Sequence, residues 1–75
     1  MNTSTLIEII QQRYGRPIIK DNGRKILAHP YKFIYDGQNY TLIKNIERIG
    51  ITELFSTPNE DFACTEFLKV LEKDS

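Results

Sequence analysis

Two turn dipeptides do most to limit what this chain can become. Asn22-Gly23 and Asp36-Gly37 each lie between short runs rich in β-branched and aromatic residues. Each favours a tight reversal with positive φ at its centre, which joins antiparallel strands. The stretch "PIIKDNGRKIL" therefore predicts a strand over 17–21 joined to one over 24–28. The stretch "YKFIYDGQNYTLIK" predicts a second hairpin. A two-residue loop there sets Phe33 against Tyr40, and a four-residue loop sets Phe33 against Leu42. Either register puts Tyr31, Phe33, Tyr35, Tyr40 and Leu42 on one face and Lys32, Ile34, Thr41 and Ile43 on the other, because a shift of two residues preserves the pleat. Between the hairpins, His29-Pro30 predicts a bulge or bend, since proline donates no ladder hydrogen bond.

Helical patterns bracket the hairpins. The first runs from about Thr5 to Tyr14, with Ser4 or Thr3 as cap. Leu6, Ile7, Ile9, Ile10 and Tyr14 share one broad arc at 100° per residue, and Gly15 suits the left-handed position that closes a helix. The second follows Thr57 as cap, with Pro58 at the first helical position and Glu60 completing a capping box. Its apolar arc holds Val70, Ala63, Phe67, Leu71, Cys64 and Leu68. Phe62 falls on the opposite side with Glu66, Lys69 and Lys73. Residues 46–55 stay open between strand and helix: Ile49 and Ile51 alternate, while Ile46, Ile49 and Gly50 also fit a helical turn. The expected fold class is α+β. A small antiparallel three- or four-stranded sheet is flanked by N- and C-terminal helices on one face, in α-β-β-β-α order, with residues 1–75 as one compact domain.

That order resembles the double-stranded-RNA-binding domains, and also the small toxin ribonucleases built on the same fold. The resemblance is one of element order. The binding domains carry lysines at the start of the second helix, where this chain has Thr57-Pro58-Asn59-Glu60-Asp61. The ribonucleases' Gly-Ser-His signature is replaced by Leu27-Ala28-His29-Pro30.

Charge narrows the partners. The net charge is zero, but residues 1–50 carry eight cations against four anions, and residues 51–75 carry two cations against six anions. Arg13, Arg16, Lys20, Arg24, Lys25 and Lys32 concentrate between 13 and 32, which supports a nucleic-acid-binding alternative through the basic hairpin, with sheet aromatics as a stacking platform. The acidic helix start argues against phosphate, because carboxylates suit the positive end of a helix dipole and repel an anion. The same start suits a basic protein surface. Glu60, Asp61, Phe62 and Glu66 form the candidate partner-binding patch, with Phe62 either an interface anchor or folded against Phe55 or Leu54.

Chemistry has few reagents here. The chain holds one cysteine and one histidine. Cys64 lies on the apolar arc and reads as a small buried hydrophobe; His29, before proline, reads as a structural or surface residue. One histidine and one cysteine fall short of a zinc site, and the isolated glycines form no phosphate loop. The expectation is a non-catalytic protein-interaction module, a small regulator or adaptor of the bacterial or phage accessory type, working with a protein partner or as a homodimer. No cofactor, metal or membrane is expected, and the location expected is cytoplasmic, because the N-terminus has no cationic leader and no stretch approaches the length of a membrane span. The ribonuclease is the minor alternative.

Overall fold

Asparagine side chains start both helices. Asn2 Oδ1 accepts the Thr5 amide at 2.8 Å, and α1 runs Thr3–Tyr14. Asn59 Oδ1 accepts the Phe62 amide at 3.0 Å, and α2 runs Glu60–Lys73. Each side chain satisfies an amide that has no partner within the helix. The expected caps at Thr3, Ser4 and Thr57 are thus corrected, and with them the capping box: Pro58 lies in a bend before α2, and Glu60 is the first helical residue, its carboxylate bonded to Thr3. Thr57 instead accepts the Asn59 amide through its hydroxyl at 3.2 Å, one step before the helix. Gly15 closes α1 at φ 96°, where a side chain is strained.

The computed structural model describes residues 1–28 and 30–73. Between the helices lie five strands: β1 (Ile18–Lys20), β2 (Lys25–Ala28), β3 (Tyr31–Tyr35), β4 (Tyr40–Ile46) and β5 (Gly50–Thr57). All neighbours are antiparallel, and the sheet order is the chain order. The α+β class and the flanking helices are as the sequence predicts, with more strands than the three or four expected. The addition is β5, which takes up the segment left open between strand and helix. Arg48 and Gly50, at φ 75° and 106°, reverse the chain between β4 and β5. His29 lies outside the described residues. Pro30 beside it occupies a turn, and its carbonyl accepts the Asn45 amide at 2.8 Å.

The turn dipeptides behave as their chemistry requires. Asn22 and Gly23 both have positive φ, and the Arg24 amide closes the turn on the Asp21 carbonyl at 3.1 Å. Asp36 Oδ1 accepts the Gln38 and Asn39 amides, both at 2.8 Å, so the second loop holds four residues and pairs Phe33 with Leu42. Those two bonds also hold the Asp36 carboxyl below its ordinary pKa.

One sheet face carries the core. Ile26, Tyr31, Phe33 and Leu42 pack with Leu6 and Ile10 of α1 and with Ala63, Cys64, Phe67 and Leu68 of α2. The Phe67 ring stacks on Phe33 at 5.2 Å and meets Tyr31 edge-on at 6.2 Å. Aromatic contacts of this kind add about 0.5–1.5 kcal/mol each to simple burial. Tyr31 and Phe33 are therefore core residues and offer no stacking platform for bases. Tyr35 and Tyr40, stacked at 4.4 Å, continue the same face toward its margin and are half-buried.

Candidate functional site

The acidic start of α2 turns inward, toward its own chain. Glu60 Oε2 accepts the Thr3 amide at 3.0 Å and the Thr3 hydroxyl at 2.9 Å, which ties the starts of the two helices together. Asp61 takes the Met1 ammonium. Glu66 pairs with Lys69 at 3.3 Å, one turn along. Phe62 rests edge-on against Phe55 at 6.0 Å and is still 49% exposed. Of the patch Glu60, Asp61, Phe62 and Glu66, the carboxylates thus have partners within the chain. Phe62 combines a local contact with an open side.

Cys64 sits beneath this start with no exposed surface. Burial first, and then the nearby Glu60 carboxylate, push its thiol up to about 11. A thiol in that state is protonated at neutral pH and is a poor nucleophile. Burial and the Glu60 charge also raise Tyr40 above its ordinary value. Among the described residues, no group of three His, Cys, Asp or Glu gathers to hold a metal ion.

The basic residues are divided between layers. Arg13 leaves the hairpin altogether: from α1 it bonds Glu72 of α2 at 2.9 Å. Arg16 stands on the exposed exit from α1, and Arg24 on the exposed hairpin tip. Lys20, Lys25 and Lys32 share a different surface. Side chains alternate between faces along a strand, and the registers fix which alternate residues meet. Ile26 and Phe33 are paired and lie in the core; Lys25, Leu27, Lys32 and Ile34 therefore point to the far side. Through the pairings Ile18↔Leu27, Lys20↔Lys25, Lys32↔Ile43 and Ile34↔Thr41, that side collects residues from β1 to β4. Glu53 joins opposite Ile43, and Ile51 opposite Asn45.

Both helices pack on the other face, so among the described residues this one has no covering layer. It holds two rows that cross the strands. One row reads Ile18, Leu27, Lys32, Ile43, Glu53, and the next reads Lys20, Lys25, Ile34, Thr41, Ser56. Ile18 is 59% exposed and Ile51 70% exposed, while Leu27, Ile34 and Ile43 are half-buried among their neighbours. Asp21 meets Lys25 at 3.3 Å from the adjoining turn. At its upper end the face dips into a shallow hollow lined by Ile18, Leu27, Pro30, Lys32 and Asn45, with the buried Tyr31 at its floor.

Sequence reasoning had Lys32, Ile34, Thr41 and Ile43 on one face, and the structure keeps them there. It missed Ile18, Leu27 and Ile51 as members of the same surface. The signal for Ile18 and Leu27 was the Asn22-Gly23 turn, which sets their register. For Ile51 there was none, since β5 was not resolved from a helical turn. No helix among the described residues is long and apolar enough to cross a membrane. No protein-family model, curated protein or solved structure matches the chain.

Proposed function

We propose that this is a non-catalytic protein-interaction module, and that it binds its partner through the open face of the sheet. One observation carries the reading: a five-stranded sheet with helices on only one side leaves Ile18, Leu27, Ile34, Ile43 and Ile51 facing solvent between lysines. Sheets with one solvated face normally alternate cleanly to polar residues on that side. This one does not, and contiguous apolar surface of that kind marks interaction sites.

The test is a face variant, Ile34→Asp with Ile43→Asp, compared with the parent chain. The expected result is a chain that still unfolds in one cooperative transition, at a lower temperature because aspartate suits a strand poorly, together with loss of a protein that co-purifies with the parent. Equal co-purification by both chains overturns the open face as the binding surface. A nucleic-acid reading is favoured by a different observation, the clustering of Lys20, Lys25 and Lys32 on that face. It requires binding to RNA or DNA that falls steeply as salt rises, and weakens in Lys20→Ala with Lys32→Ala.

A further inference from the structure

The open face also constrains the chemistry of what covers it. Resting on the binding surface just proposed, we infer that the occupant is an acidic amphipathic helix lying across the strands.

The backbone argues for a helix. All the sheet's interior strands already spend their amides and carbonyls on one another. The face therefore offers side chains and no backbone partners. An extended segment laid flat on it would lose water from its own amides and gain nothing in return, whereas a helix arrives with those groups already bonded. Dimensions agree. Five strands spaced by ~4.8 Å are about 19 Å across, the length of a helix of roughly 13 residues. Ile18, Leu27, Ile43 and, one row away, Ile34 form the strip along that direction.

Charge argues for acid. Lys20 and Lys25 border the strip on the β1–β2 side, Lys25 already paired with Asp21 of the adjoining turn at 3.3 Å, and Lys32 stands within it. The face's own carboxylate, Glu53, lies on the far strand. A helix with leucines at i, i+3, i+4 and i+7 would fill the strip, and flanking glutamates would meet the lysines. A second copy of the chain packed face to face about a two-fold axis on β3 would set Lys32 against its twin, and no row of carboxylates on the face answers the lysines. Nucleic acid would cover these aliphatic side chains without an aromatic to stack on.

The probe is a synthetic helical peptide of that pattern with glutamate flanks, and a control with lysine flanks. Binding to the whole chain is followed by fluorescence anisotropy and mapped by amide shift perturbation. Glutamate flanks are expected to bind roughly tenfold or more tighter than lysine flanks, with the difference shrinking as salt screens it. Ile43→Asp should weaken binding by roughly thirtyfold or more, as loss of an interface anchor does. Phe62→Ala should leave it unchanged. Equal binding of both peptides, perturbations mapping to α2, or a preference for a duplex oligonucleotide overturns the inference. So does concentration-dependent self-association that Ile43→Asp abolishes, which would make a second copy the occupant. If no peptide binds but the double aspartate variant still sheds its native partner, the helix inference falls and the open face stands. If both fail, both readings fall.

Discussion

The two faces of this sheet are made by the same strands, residue by residue in alternation, yet they are built to different rules. The covered face is aromatic: Tyr31 and Phe33 meet Phe67, Tyr40 stacks on Phe33, and the rings interlock. The open face has no aromatic ring in its two central rows and mixes aliphatic side chains with lysines. The covered face has already met its partner and can commit to ring geometry. The open one carries side chains that tolerate water and still favour an apolar contact. Lysine stems suit this role, because they lie along apolar surface while the ammonium stays wet.

The comparison can be broken most sharply at Phe67. Phe67→Ala removes the ring that bridges Phe33 and Tyr31 and should cost about 3–5 kcal/mol of folding free energy, measured by urea titration. A loss below ~1.5 kcal/mol would mean that the aromatic cluster contributes little more than an exposed contact.

The next effect is one of pH. The Cys64 thiol is raised to about 11 in the fold, against ~8.5 in an unfolded chain. The folded state favours the proton, so this contribution is fully present below the unfolded pKa and is lost as pH rises from ~8.5 toward the folded value. Thermal unfolding temperature should fall over that window, and Cys64→Ala should flatten the fall. An identical alkaline slope in the variant would place the titration elsewhere, with Tyr40 the first residue to check.

Smaller effects follow at the helix start. Asn59→Ala should cost ~1 kcal/mol, because the Phe62 amide loses its acceptor, while Thr57→Ala should cost less. The reverse order would restore Thr57 as the cap. Phe62→Ala should cost about 0.5–1.5 kcal/mol, the worth of one aromatic contact. A loss of ~3 kcal/mol or more would move Phe62 into the core.

The smallest expected change lies on the open face. Ile43→Thr should shift stability by about 0.5 kcal/mol or less, as surface substitutions do. Together with Phe67→Ala it measures the asymmetry of the sheet. A cost of ~2 kcal/mol at Ile43 would show that the open face carries folding energy of its own.

Much of this architecture was legible in the sequence because it rests on local rules. Asn22-Gly23 and Asp36-Gly37 set the two hairpins, and period-two alternation sorted Phe33 from Ile34. The caps were less legible. "MNTST" and "STPNED" each offer several residues able to accept an amide, and the choice depends on how the chain enters the helix. β5 was hidden for another reason. Its turn uses Arg48 and Gly50 in place of a favoured dipeptide, and a bulge interrupts its register opposite Leu42/Ile43. Leu54 is the extra residue there, so strict alternation would have put Ile51 and Glu53 on the wrong face. The open face as a surface depends on β1 and β5 together, and no single segment announces it.

Cys64 gives the molecule a built-in clock. Its sulfur has no exposed surface, so a thiol reagent reacts only when α2 lifts from the sheet. The labelling rate relative to a free thiol, at fixed pH and corrected for the raised pKa, then reads the fraction of time the core stands open. A ligand on the opposite side of the sheet never touches this sulfur. If it binds only the closed form, it must still slow the reaction, by the same factor with which it depletes the open form. One unmodified cysteine can thus report occupancy of a surface it does not share.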